Sequence, residues 1–129
     1  MDNPLIIHME KVTLVLLADT SSKENLGRML HVLLYAQQLL NEGLDVEIIF
    51  DGGGSEWPKE LSDESHDLHD KYRKMLEDGV IKGVCSFCAE AFDVKEHLKN
   101  NDISLLDEHE GHPNIGRRVA KEGRHVMTF

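Results

Sequence analysis

Seven consecutive residues, Val12-Thr13-Leu14-Val15-Leu16-Leu17-Ala18, carry no charge and one hydroxyl. A strand with one wet face alternates polar and apolar residues. An unbroken apolar run of this length is a strand covered on both faces, the signature of a parallel sheet. Val46-Glu47-Ile48-Ile49-Phe50, Val80 to Val84 and Ile103-Ser104-Leu105-Leu106 are shorter runs of related character, and His125-Val126-Met127-Thr128-Phe129 alternates as a final strand.

Helical periodicity fills the intervals. Leu26, Met29, Leu30, Leu33, Leu34 and Leu40 recur at helical spacing, with Ser21 and Glu24 at capping-box distance and Gly43 as a stop. After Trp57-Pro58, the residues Leu61, Leu68, Tyr72, Met75 and Leu76 mark one face of a second helix ending at Gly79. A third begins after Cys85 and restarts at Asp93, with Ala91, Val94 and Leu98 inward. A fourth opens at Pro113, with Ile115 and Val119 inward and Gly123 closing it. Strand and helix alternate throughout, which predicts an α/β fold: a mostly parallel five-stranded sheet with helices on both faces.

The chain has 129 residues, enough for one domain with a real core. Residues 1–10 read as an N-terminal extension, with Met9 as an alternative start, and residues 11–129 as a single domain. No basic segment precedes an apolar one at the N-terminus, and no apolar run approaches a membrane span. The expectation is a cytoplasmic protein without a membrane partner. A formal net charge of -10 and the lack of a basic patch argue against nucleic acid.

In a parallel sheet, every loop that follows a strand lies along one edge, where open α/β proteins bind ligands. Those loops here are Asp19–Ser22, Asp51–Trp57, Cys85–Cys88 and Asp107–His112. The two cysteines of the chain, Cys85 and Cys88, sit at a strand-to-helix turn. Unpaired amides and the helix dipole at such a turn favour thiolate, and can lower a thiol from ~8.5 into the range ~3.5–7.5. Cys85 is therefore expected to be a reactive nucleophile and Cys88 its partner. Two cysteines three apart in a reducing compartment suggest redox, sulfur or metal chemistry rather than a structural staple.

Asp19, Asp51, Asp107, His109 and His112 are candidate binding or supporting residues on the same edge. Cys85, Cys88, His109 and His112 make an alternative zinc set. His66 and His69, with Asp70, form a second His pair, which reads as a solvated helix start. Gly52-Gly53-Gly54 lacks the Lys and Ser/Thr of a P-loop and reads as a mobile flap over the site. Dinucleotide and nucleophile-elbow fingerprints are absent, and no organic cofactor is expected.

Together, the Val-Leu-Leu-Ala-Asp first strand, Ile48-Ile49-Phe50-Asp51-Gly52, Gly83-Val84-Cys85-Ser86-Phe87-Cys88-Ala89 and Leu105 to Pro113 resemble the DsrE/DsrF-like family, over about Lys11 to Phe129. The resemblance implies a three-layer α/β/α sandwich and homo- or hetero-oligomers, often trimers or hexamers, and a homo-oligomer is expected here. In the sulfur-relay members, a cysteine at the position of Cys85 carries sulfane sulfur as a persulfide. The chain is thus expected to be a sulfur carrier or sulfurtransferase whose partners are sulfur donor and acceptor proteins or small thiols. The alternatives are a non-catalytic oligomeric or zinc-binding module, or a dithiol–disulfide redox protein using Cys85 and Cys88.

Overall fold

The structure, a computed structural model, describes residues 10–129. The proposed extension, residues 1–10, lies outside the described residues except for Glu10.

Among the described residues, five strands form one sheet: β1 (Lys11–Leu16), β2 (Asp45–Phe50), β3 (Ile81–Cys85), β4 (Leu105–Leu106) and β5 (Arg124–Thr128). Their order is β4-β3-β2-β1-β5, and every neighbouring pair is parallel. Six helices connect them: α1 (Lys23–Asn41), α2 (Trp57–Leu61), α3 (His69–Glu77), α4 (Ser86–Ala91), α5 (Lys95–Asn100) and α6 (Ile115–Ala120). The architecture is a three-layer α/β/α sandwich, as the sequence suggests. Among the described residues, no helix is long and apolar enough to cross a membrane.

The two faces are unequal, and the strand order gives the reason. From β1 to β4 the chain steps in one direction across the sheet. Right-handed crossovers therefore put the intervening helices on one face. Val12, Leu14 and Leu16 of β1 and Val46, Ile48 and Phe50 of β2 point there, against Met29, Val32 and Leu33 of α1, Trp57 and Leu61 of α2, and Tyr72 of α3. The return from β4 to β5 spans the sheet on the opposite face, which α6 covers. The apolar cluster on that face is small: Val15, Ile49 and Leu106, with Ile115 and Val126 against them.

Polar side chains occupy the rest of the second face. Thr13 donates to Glu47 (2.8 Å), Arg124 Nε donates to Thr13 Oγ1 (2.8 Å), and Arg118 Nε donates to Glu47 (2.6 Å). Arg118 is 1% exposed and Arg124 8%. The expectation that Ile115 and Val119 fill the inner face of the last helix fails for Val119, which is 53% exposed. Arg118 occupies that side because carboxylates await it. Pro113 precedes the helix rather than opening it, and Asn114 is the cap, its side chain accepting from the Arg117 amide.

Local side-chain bonds move other helix boundaries. Ser22, not Ser21, caps α1, accepting from the Asn25 amide. The single second helix is two, because Asp63 accepts the amide and hydroxyl of Ser65 and His66 Nδ1 accepts the Leu68 amide. Such bonds offer the backbone an alternative to the helix. Asp93 does not cap a restarted helix. It is left-handed (φ 57°), breaking α4 from α5, so Ala89 is buried and Ala91 exposed.

Candidate functional site

Three strand ends supply the site. At the end of β2, Asp51 begins a 3-10 turn, Gly52–Glu56, and its Oδ1 accepts the Gly52 amide at 2.8 Å. The expected mobile flap is instead packed: Gly54 is buried, and a Cβ on it would lie 2.0 Å from the carbonyl oxygen of Leu16. Glycine there lets the turn lie directly on β1, which holds Asp51 in place.

Cys85 is the last residue of β3 and caps α4, while Cys88 lies one turn further on. After β4, the chain turns back on itself. His109 and His112 pair through their backbones in an antiparallel bridge, with the His112 amide donating to the His109 carbonyl at 2.9 Å. The reversal runs through left-handed Glu110 (φ 50°) and Gly111 (φ 85°). The Phe87 amide donates to the Gly111 carbonyl (2.9 Å), joining this loop to α4. The rings of Phe87 and His112 lie 4.9 Å apart.

Four donors converge as a result. Cys85 Sγ is 3.2 Å from His112 Nδ1, and Cys88 Sγ is 3.6 Å from Asp51 Oδ1. One ligand atom from each of Asp51, Cys85, Cys88 and His112 lies within 4.8 Å of all the others. Around a tetrahedral zinc with Zn–S near 2.3 Å and Zn–N near 2.0 Å, ligand atoms sit about 3.3–3.8 Å apart, so the widest separations in the cluster would contract by up to about 1–1.5 Å on an ion.

Cys85 has no exposed surface, and burial pushes its thiol up to about 12. Neighbouring Cys88 and Asp51 push the same way, while the Cys88 amide pulls against them. The expected depression by the helix start is therefore reversed: without a cation, the sulfur stays protonated at neutral pH. A thiol brought to metal is deprotonated outright.

The remaining candidates do other work. Asp19 accepts from the amide and hydroxyl of Ser21 and from Asn25, which hold its carboxyl below the usual carboxylate range and fix the turn before α1. Asp107 is exposed. His109 is also exposed and lies 3.9 Å from Glu110, so the zinc set inferred from spacing is corrected by one member: Asp51 replaces His109. His66 and His69 have their Nδ1 atoms on backbone partners, the Leu68 amide and the Leu61 carbonyl. Glu108 and Arg118, which no spacing rule singled out, pair beneath the His112 loop.

No protein-family model matches the chain. The fold is shared with the structure of BT1422, a conserved protein of unknown function from Bacteroides thetaiotaomicron, at a TM-score of 0.58 and 21% identity, over 91% of this chain and 94% of that one. Uncharacterized protein MJ0733 of Methanocaldococcus jannaschii is 35% identical over 94 residues, which are 73% of this chain and 74% of that protein. Identity at that level over that share of both chains places this protein in the family of uncharacterized protein MJ0733.

Proposed function

We propose that the protein binds one thiophilic divalent cation, zinc first among them, through Asp51, Cys85, Cys88 and His112. The convergence of four donors within 4.8 Å carries the reading. Two sulfurs, an imidazole nitrogen and a carboxylate oxygen suit zinc better than calcium or magnesium, which take oxygen ligands. The ion would also account for a buried cysteine surrounded by polar groups. Four protein ligands would complete a tetrahedron, which would make the centre closed, as in structural sites, rather than open for a substrate. The test is metal analysis of the purified full chain, followed by cobalt substitution. One ion per chain, a thiolate-to-cobalt charge-transfer band and the visible bands of a tetrahedral ion are expected, all lost in Cys88→Ser. A native chain that takes up neither zinc nor cobalt refutes the reading.

One contact favours a second reading. His112 Nδ1, 3.2 Å from Cys85 Sγ, is placed to accept the thiol proton, as a sulfur carrier of the DsrE/DsrF-like kind requires. The Cys85 thiolate would attack the outer sulfur of a donor persulfide, and the donor's inner sulfur would leave as a thiolate, with no net oxidation. Donor and acceptor would be proteins or small thiols, and the carrier a cytoplasmic trimer or hexamer. Intact mass after treatment of metal-free protein with a persulfide separates the readings: gain of one sulfur on Cys85 supports carriage, and an unchanged mass removes it.

A further inference from the structure

His112 is the one donor of the four that comes from a long irregular segment. Residues 107–114 lie between a two-residue strand and a six-residue helix. Backbone bonds shape the tip: the Glu108 and His109 amides both donate to the His112 carbonyl, at 2.9 and 2.8 Å. These bonds fix the loop's shape but not its place above the sheet.

Its place is held by the Phe87 amide on the Gly111 carbonyl and by an ion pair of buried Arg118 with partly buried Glu108. Glu108 accepts the Asn114 amide at 2.9 Å, Arg117 at 3.0 Å and both terminal nitrogens of Arg118. Arg118 also donates through Nη1 to the Asn114 carbonyl (3.1 Å), and through Nε to Glu47 on β2 (2.6 Å). One guanidinium thus grips the loop on both sides of His112 and fastens it to the strand whose end carries Asp51. Lysine cannot reproduce this, since a single ammonium lacks the planar fork.

Arg118 is 1% exposed. Desolvating a charge this far costs several kcal/mol, and well-packed apolar replacements of buried ion pairs are often neutral or stabilising by ~1–4 kcal/mol. Stability alone is a poor reason for such a group; fixing the position of a neighbouring loop is a better one. We infer that Arg118 is a positioning residue, holding His112 over Cys85 by clamping Glu108 and Asn114 to Glu47. The inference rests on the metal reading above.

The test compares Arg118→Met, Arg118→Lys and Glu108→Gln with the parent chain, by chelator-competition affinity and by the cobalt spectrum. Outer-shell partners of metal ligands typically contribute about 10–100-fold in affinity. Arg118→Met is expected to lose that much, with the thiolate-to-cobalt band kept and the visible bands altered by loss of the imidazole; Arg118→Lys should recover part of it. A purely structural role would lower the urea midpoint of metal-free protein and leave the affinity and spectrum of the folded fraction unchanged, which overturns the inference. Should Arg118→Met fail to fold, Glu108→Gln decides, because it keeps the Arg118–Glu47 pair and removes the charge and one of the two acceptor oxygens by which Glu108 holds the loop. A parent chain that binds no metal overturns the metal reading and this inference together. A parent that binds, with variants binding equally, overturns only this one.

Discussion

Replacing Gly54 by alanine tests whether the triple-glycine turn is a seat or a flap. The new Cβ would stand 2.0 Å from the Leu16 carbonyl oxygen and 2.7 Å from its carbonyl carbon. Both atoms are backbone of β1, which is paired on both sides, so no side chain can swing aside. The turn must lift by more than about 1 Å to restore an ordinary contact of 3.4 Å or more. That motion strains the bond from the Asp51 amide to the same Leu16 carbonyl, now 3.0 Å. Overpacking costs roughly 1–3 kcal/mol and a weakened hydrogen bond about 1 more, for a total near 3 kcal/mol. For a chain of this size the melting temperature should fall by roughly 10 °C. Gly27, in α1 with nothing within 4 Å of its would-be Cβ, is the internal control. Alanine there should stabilise by about 0.5–1 kcal/mol, because a helix interior favours alanine over glycine. Urea unfolding of both variants, compared at equal m, reads the two signs. A Gly54→Ala variant within about 0.5 kcal/mol of the parent would mean that the turn yields freely, and the packed description of Asp51 would be wrong.

Two further outcomes follow from burial and charge. In metal-free native protein, iodoacetamide should label Cys88 well before Cys85, because Cys88 is half-buried while Cys85 is sealed and its thiol stands at about 12; peptide mapping that finds Cys85 labelled first contradicts this. Hydrogen bonds from Arg118 hold the Glu108 carboxyl below its ordinary 4.5 in the folded chain. The pair's contribution is therefore complete above that value and lost as pH falls through the folded-state value, because the unfolded chain takes up the proton first. Urea midpoints measured between about pH 6 and pH 3 should fall more steeply for the parent than for Glu108→Gln, and parallel slopes would refute the assignment.

The first strand was legible because burial on both faces leaves an apolar run, although the strand ends at Leu16 and Leu17 is 48% exposed. The convergence of the four donors was legible for a topological reason: a parallel sheet sends the residues after β2, β3 and β4 to one edge, so Asp51, Cys85, Cys88 and His112 were all among the candidates. What escaped the sequence depends on single side-chain bonds and on backbone sign. Spacing treats His109 and His112 alike, and only the left-handed turn at Glu110 and Gly111 brings one inward and leaves the other outside. A cysteine before a helix suggests an acidic thiol, but Cys85 is enclosed so completely that desolvation outweighs the nearby amide. Arg118 falls on a helix face that hydrophobic periodicity assigns to Val119, because periodicity has no means of registering Glu47 and Glu108 on the far side.

The return from β4 to β5 has to pass over β3, β2 and β1 before the last strand can dock. Every earlier connection joins neighbours, so the four strands up to β4 can be laid down in sequence, each beside its predecessor. The long traverse comes last, and it carries both His112 and the arginine beneath it. In chain order, Asp51, Cys85 and Cys88 are therefore all reached before the fourth donor. An ion captured by those three alone would sit in an incomplete shell, and the final strand's closure would decide whether it is retained or surrendered.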